Sequence, residues 1–190
     1  MIEIENSMPE LNVPIWGQPS RNYCVPACIK MILEFLRERY GEDIPRLSLS
    51  RIARIIGTQW DGTAPKDVEN INKYFKAKLC IEFKAEFMRH FPEIRKELEE
   101  GKPVIAWVND QIPPDKLWHA VVVCGFNPDI NAVIFNDPWD ARKKSEEVGI
   151  FIKKWGVEAK MVKLLISKEK QSTLHEYSRE QLIGGEQADE

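Results

Sequence analysis

The hydrophobic pattern of the chain is dominated by one long segment near the N-terminus, which predicts a helix over residues 22–40. Apolar residues cover most of its surface, and a helix of this kind is largely buried. Asn22 is a suitable N-cap and Gly41 a suitable stop. We therefore expect this helix to be central to the fold. Its polar positions form only a narrow stripe of Lys30, Glu34, Arg37 and Glu38.

Further along the chain, the pattern predicts shorter helices first and mainly strands afterwards. Helices are expected at 51–56, 63–75, 92–100 and from Ser145 to Trp155, and strands at 78–83, 104–108, 118–126, 132–137 and 159–166. Helices followed by antiparallel strands are typical of an α+β domain. We expect N-terminal helices packed on a C-terminal antiparallel sheet within one domain over 1–166, followed by a polar, mobile tail over 167–190.

The composition limits the partners and the location of the protein. Of 190 residues, 43% are hydrophobic and 30% charged, which is ordinary for a soluble globular protein. With 27 basic and 30 acidic residues, the chain lacks the positive excess that binds nucleic-acid phosphates. The N-terminus has no apolar core like that of a signal peptide, and no apolar run is long enough to span a bilayer. We expect a cytoplasmic protein with reduced cysteines, no nucleic-acid partner and no membrane insertion.

Cys24 falls at the beginning of the long helix. Proline is tolerated only in the first turn of a helix, so Pro26 fixes the helix start between Asn22 and Val25. Cys24 then faces unpaired backbone N–H groups and the positive end of the helix dipole, a setting that favours a thiolate. The alternative is a small apolar residue in the core, because free cysteines are among the most buried residue types.

A second pair of reactive side chains lies on the strongest predicted hairpin. Turn residues at 127–131 join the two strands, and a turn centred near Pro128 and Asp129 places His119 opposite Asp137 or its neighbour. Directly opposed residues have Cβ atoms about 4.5–5.5 Å apart, close enough for an imidazole to reach a carboxylate. The alternative is a histidine at a strand end and an ordinary Asp–Pro turn.

Together these residues supply the groups that acyl transfer requires. A thiolate needs a nearby imidazole, the imidazole needs an orienting partner, and the developing oxyanion needs hydrogen-bond donors. Cys24, His119 and Asp137 provide the first three groups. Gln18 and the backbone N–H of Cys24 supply donors.

This set of residues resembles that of the papain-like cysteine peptidases. More narrowly, it is similar to family thirty-nine, the bacteriocin-processing double-glycine peptidases and their free-standing relatives. The similarity spans residues 12–166. The matching pieces are Gln18, Cys24, Ala27 and Met31, followed by residues 101–105, 119–125 and 137–138.

The resemblance implies a papain-like fold with Cys24 as nucleophile, His119 as general base and acid, Asp137 as its orienting partner and Gln18 in the oxyanion hole. The peptidases of this family cleave after Gly-Gly at the end of a leader peptide, and the resemblance therefore implies a peptide or protein substrate, though not which one. This mechanism needs no metal or organic cofactor.

The chain departs from the family pattern at Val25, where the family has glycine. A side chain there narrows the approach to the thiol or alters which acyl group fits.

Two other functions stay open. One is a non-catalytic scaffold of the same fold that binds a peptide or protein partner in the cleft, which Val25 favours and the intact Cys–His–Asp set opposes. The other is an acyl transferase or amidase that uses the same groups.

Three tryptophans, Trp16, Trp118 and Trp139, each lie within two residues of a proposed site residue. They are expected to wall a substrate groove, to shield the Asp–His pair from water, or to pack in the core. Cys28 follows Cys24 at a spacing that zinc sites use, but no second Cys/His pair accompanies it, so we expect core packing and no metal site.

The tail contains Gly184–Gly185, preceded by Leu174 and Leu182 at a spacing that resembles the end of a double-glycine leader. One interpretation is a self-processed or inhibitory segment that contacts the site. The other is an ordinary flexible tail.

Overall fold

The structure, a computed structural model, describes residues 10–75, 79–109 and 118–166. They form helices packed around one six-stranded antiparallel sheet. The helices are α1 (Cys24–Tyr40), α2 (Leu49–Ile55), α3 (Phe91–Glu99) and α4 (Val148–Trp155), with 3-10 helices at Gly41–Asp43 and Pro65–Tyr74. The strands are β1 (Ile81–Glu86), β2 (Val104–Val108), β3 (His119–Asn127), β4 (Ala132–Asp137), β5 (Arg142–Glu147) and β6 (Met161–Ile166).

The α+β class is confirmed, and the strand order in the sheet is β1-β6-β2-β3-β4-β5. The sheet is not confined to the C-terminal half, because β1 precedes α3 and pairs with β6 at one edge. Within the described residues, no helix is long and apolar enough to cross a membrane. The tail over 167–190 lies outside the described residues, so the predicted domain boundary stays a prediction.

Two predicted helix starts were wrong. Asn22 does not cap α1, since Tyr23 holds the N-cap position and the Asn22 amide donates instead to the Gln59 carbonyl at 2.8 Å. Ser145 does not begin a helix but lies within β5, and the Glu147 side chain accepts the first N–H groups of α4. In both places a contact distant in the sequence, between Asn22 and Gln59 and between Ser145 and Ile134 of β4, outweighs the local preference for a helix start.

Helix α1 is buried along most of its length, as its apolar surface predicts. It packs against β3, and the Cys28 thiol donates to the Ala120 carbonyl at 3.3 Å. Gly41 follows the last turn with φ +62°, a left-handed conformation that favours glycine. The helix therefore presents its N-terminal end to the beginning of β3.

The strand termini that carry the predicted site residues lie together at one end of the sheet, where strands begin and end. There, β2 ends at Val108, which pairs with His119 at the beginning of β3. The end of β4 lies there too, where Asp137 pairs with Arg142 of β5. Neighbouring antiparallel strands run in opposite directions. The last residues of β2 and β4 therefore lie beside the first residues of β3 and β5.

The β3–β4 hairpin changes register by one residue, and this change places His119 and Asp137 on the same face. Near the turn Asn127 pairs with Ala132, whereas beyond a bulge between Val123 and Gly125 the strand partner of Val122 is Asn136. Continued without the bulge, the first register would put Asp137 opposite Val122, on the other face from His119. The direct opposition of His119 and Asp137 is therefore wrong, and the two residues are diagonal neighbours.

Residues 10–18 form an extended strap that lies along the hairpin. The Leu11 N–H donates to the Cys124 carbonyl at 2.8 Å, and the buried Asn136 amide donates to the Val13 carbonyl at 2.8 Å. At the end of the strap, the Gln18 N–H donates to the Pro138 carbonyl at 2.8 Å. The strap thereby holds Gln18 beside the end of β4.

We expect Asn136→Ala to lower the free energy of unfolding by about 2 kcal/mol, because the Val13 carbonyl loses its donor inside the protein. Urea denaturation measures the change. Asn12→Ala, an exposed asparagine on the same strap, is the matched control and should stay within about 0.5 kcal/mol of wild type. Equal effects of the two substitutions would contradict the role assigned to Asn136.

Candidate active site

Cys24 is the first residue of α1 and is 5% exposed. Among the described residues, no side chain caps this helix end, so the N–H groups of Cys24 and Val25 remain available to an anion, while Pro26 has none and the Ala27 N–H donates to the Tyr23 carbonyl. The thiol lies close enough to the imidazole of His119 for the two groups to interact and for Cys24 to raise the pKa of His119. The structure therefore brings together the first two residues of the predicted set.

His119 lies between Cys24 and Asp137. Its Nε2 is 2.6 Å from Asp137 Oδ1, and the imidazole also interacts with Cys24. Burial alone would lower the pKa of His119, but the hydrogen bonds to Asp137 and to Cys24 raise that pKa from 6.5 to about 9. The imidazole is thereby held as an imidazolium at neutral pH.

This raised pKa links the site to stability. A histidine whose pKa is higher in the folded protein stabilises the fold fully below its unfolded value near 6.5. The contribution is lost as pH rises through about 9. The His119–Asp137 pair therefore stabilises the protein at neutral and mildly acidic pH.

Asp137 is 5% exposed, and each carboxylate oxygen accepts a hydrogen bond from a cation. Oδ1 faces His119 and also accepts from the Trp139 N–H at 2.9 Å, while Oδ2 accepts from Lys144 Nζ at 2.6 Å. Burial alone would raise the pKa of Asp137, but the hydrogen bonds from His119 and Lys144 hold that pKa well below its usual range. Asp137 is thus an ionised, fixed acceptor for the imidazole.

Lys144 is a site residue that the sequence did not indicate. The sequence analysis left the chain between Pro138 and Ser145 unassigned, whereas it belongs to β5. Arg142 pairs with Asp137, and Lys144 lies two residues further along, on the same face of the strand. Lys144 also pairs with Asp140 at 3.1 Å. Recognition of β5 as a strand would have been the signal that placed it there.

Gln18 lies near the site, but its amide group is engaged locally. Its Nε2 donates to the carbonyls of Ser20 and Arg21 at 2.9 and 3.3 Å. Its Oε1 is buried without a hydrogen-bond partner among the described residues. In this conformation the predicted oxyanion donor therefore directs no amide N–H toward the thiol.

A groove of about 470 Å³ begins at Cys24, a volume typical of sites that bind ligands. Val25, which is 1% exposed, borders it beside the nucleophile. Because almost all of its surface is buried, Val25 forms part of the floor and does not project across the opening. Trp107, Trp118 and Lys160 form one wall, and Gln59, Asp61, Gly62, Thr63, Ala64, Pro65 and Asp67 form the other.

The three predicted tryptophans have different positions. Trp118 lines the groove and lies under Lys160 Nζ, 4.4 Å from the ring centroid. Trp139 stands edge-on to His119 with ring centroids 6.4 Å apart, so it covers the imidazole from outside. Trp16 lies against Lys30 Nζ at 4.9 Å and does not line the groove.

Cys28 packs in the core next to the site. Burial raises the pKa of its thiol, and the charges of Cys24 and Asp137 add to this effect. Its hydrogen bond to Ala120 gives it a structural role. Within the described residues, no cluster of three or more histidine, cysteine or acidic residues forms a metal-binding group.

Comparisons with known proteins agree with this architecture. A model of the Peptidase C39-like family matches residues 10–160. No curated protein matches the chain significantly. The peptidase domain of Streptococcus ComA, a bifunctional ABC transporter involved in quorum sensing, superposes with a TM-score of 0.57 at 20% identity, covering 82% of this chain and 98% of that domain. A Bacillus anthracis protein assigned as a C39-like peptidase gives 0.66 at 13% identity, covering 86% and 99%.

We expect His119 to titrate near pH 9 in nuclear magnetic resonance spectra. Asp137→Asn should lower this pKa by at least about one unit, because the loss of the carboxylate leaves burial opposed only by Cys24. The imidazole C–H shifts measure the change, and the exposed His90 in the same spectra is the control. A His119 pKa that is the same in both proteins would show that Asp137 does not govern it.

Proposed function

The chain belongs to the Peptidase C39-like family, and we propose that it is a cysteine peptidase that hydrolyses a peptide bond through Cys24, His119 and Asp137. One observation carries the proposal. His119 interacts with Cys24 on one side and has its Nε2 2.6 Å from Asp137 Oδ1 on the other, and Cys24 lines a groove of about 470 Å³. The papain-like fold of the structural neighbours supports the same activity.

In the proposed mechanism, the Cys24 thiolate attacks the substrate carbonyl and forms a tetrahedral oxyanion. The His119 imidazolium then gives its proton to the leaving amine, and the C–N bond breaks to leave a thioester on Cys24. His119, now neutral, takes a proton from water as the water attacks the thioester, and the C–S bond breaks to release the acid and regenerate the thiolate–imidazolium pair. Asp137 stays ionised throughout and holds the imidazole in place.

The backbone N–H of Cys24 is the proposed donor to the oxyanion, because it belongs to the uncapped first turn of α1. Gln18 becomes a second donor when its amide turns away from the Ser20 and Arg21 carbonyls. Its buried, unpartnered Oε1 favours such a turn, since an unpaired buried oxygen is unfavourable. The substrate is a peptide or protein, and the location proposed for the reaction is the cytoplasm.

The alternative is a papain-fold scaffold that binds a partner in the groove without chemistry. Val25 favours this alternative as a departure from the family pattern, but its buried side chain leaves the groove open. The contact between His119 and Asp137 favours the peptidase, because a scaffold has no need of an oriented imidazolium beside a thiol.

We expect iodoacetamide to alkylate Cys24 rapidly at pH 6–7, because the imidazolium of His119 stabilises the thiolate. His119→Ala should slow this reaction at least about tenfold. Peptide mass mapping measures the rate at each cysteine, and Cys80, which is exposed, serves as the internal reference.

Cleavage of a proteome-derived peptide library, read by mass spectrometry, completes this test. Cys24→Ala should abolish every cleavage that the wild type produces. Fast alkylation that depends on His119, together with cleavage that depends on Cys24, supports the peptidase. Slow alkylation of Cys24 that is indifferent to His119, with no cleavage, would favour the scaffold.

The C-terminal tail is a proposed partner of the site. The last described residue, Ile166, ends β6 at the opposite end of the strand from Lys160, which lines the groove. Nineteen further residues reach Gly185, and at about 3.3 Å per extended residue they can return to Cys24. If the tail is a substrate, intact mass should show loss of the five residues after Gly185 in wild type and not in Cys24→Ala. The full mass in both proteins would exclude self-processing.

A further inference from the structure

The wall of the groove opposite Trp107 and Trp118 begins in a tight turn over residues 58–63. Gln59 and Gly62 exchange two backbone hydrogen bonds of 2.8 and 3.2 Å, and the hydroxyls of Thr58 and Thr63 are 2.9 Å apart. The Gln59 carbonyl accepts from Asn22, two residues before Cys24. Hydrogen bonds between the two sides of the turn therefore stabilise it, and a further hydrogen bond joins it to the segment that precedes the nucleophile.

Trp60 lies at the tip of this turn with 88% of its surface exposed. It is the most exposed aromatic side chain among the described residues, and its neighbours Gln59 and Asp61 both line the groove. Leaving so large an apolar side chain in water gains no burial for the isolated protein. Rigidly presented tryptophans are the side chains that most often anchor protein–protein contacts.

Two carboxylates on the same wall, Asp61 and Asp67, face the groove. Both are exposed, and neither carboxylate has a hydrogen-bond or ion-pair partner in the part of the chain that the structure describes. The lysine on the opposite wall, Lys160, is engaged with Glu158 and with the ring of Trp118. The groove therefore offers a bound peptide two exposed carboxylates that no cation among the described residues neutralises.

We propose that residues 58–67 select a polypeptide substrate that carries a lysine or arginine close to the scissile bond. Asp61 and Asp67 receive the cationic head, and Trp60 packs against the adjoining part of the same peptide. This assignment rests on the proposed function and adds to it a substrate class. The long apolar stem of lysine or arginine suits a groove whose other wall is formed by indole rings.

A panel of peptidyl vinyl sulfones tests the proposal without requiring turnover. The Cys24 thiolate adds to the vinyl β-carbon, the α-carbon takes a proton, and no group leaves. Probes differ only by lysine, glutamine or glutamate at one of the three residues nearest the sulfone. Each labelling rate is divided by the iodoacetamide rate of the same variant, so that thiol reactivity cancels and only peptide recognition remains.

At one of these positions, we expect the lysine probe to react about fivefold faster than the glutamate probe at low salt, with the preference falling as salt rises. The double variant Asp61→Asn, Asp67→Asn should lose this preference. Trp60→Ala should slow every peptidyl probe about fivefold. Asp129→Asn and Ile130→Ala, an acidic and an apolar residue on the distant β3–β4 turn, are the matched controls and should change neither quantity.

A lysine preference that is absent, or that survives in the double variant, overturns the proposal while leaving a reactive Cys24 intact. If no sulfone reacts, the proposed peptidase function fails separately. Calorimetric binding of the corresponding unreactive peptides to Cys24→Ala then tests the lysine selectivity by itself. Equal affinity for lysine and glutamate peptides overturns the proposed selectivity, and a lysine preference that disappears in the double variant supports it.

Discussion

The hydrogen bond between His119 and Asp137 depends on a single change of register in the β3–β4 hairpin. The bulge between Val123 and Gly125 moves Asp137 to the face of the sheet that carries His119. Gly125 suits this place, because a Cβ there would lie 3.3 Å from the Cβ of Ile134. The position of the imidazole then determines where α1 must present Cys24, and the hydrogen bond from Cys28 to Ala120 holds helix and strand together at that point.

Much of this architecture could be predicted from the sequence, because the signals involved are local. The apolar surface of residues 22–40 predicts a buried helix, and Pro26 limits where that helix begins, which the structure places at Cys24. The bounds of β2 and β4 agree with their apolar runs. The register of the β3–β4 hairpin could not be predicted in the same way, because the bulge depends on how the strap and β4 pack against β3. The predicted direct opposition of His119 and Asp137 was therefore wrong.

The remaining features have no signal in the local hydrophobic pattern. Lys144 was missed because β5 reads RKKSEE, a polar edge strand with no apolar alternation to reveal it. The local engagement of Gln18 follows from the path of the chain through Ser20 and Arg21, which no spacing predicts. The sequence did not indicate that Trp60 and Asp61 lie beside the groove, because their position depends on the hydrogen bond that joins their turn to Asn22.

Asp137 joins the chemistry of the site to the stability of the fold. Its buried carboxylate is shared by an imidazole on β3 and a partly exposed ammonium on β5, so that three adjacent strands meet at one group of charges. Removal of one member of such a group leaves an uncompensated buried charge, which is more costly than the loss of an exposed pair. Lys144 therefore does more than neutralise Asp137. It keeps the carboxylate ionised and fixed even when His119 gives up its proton, which is the moment in the proposed mechanism when Asp137 would otherwise lose its cationic partner.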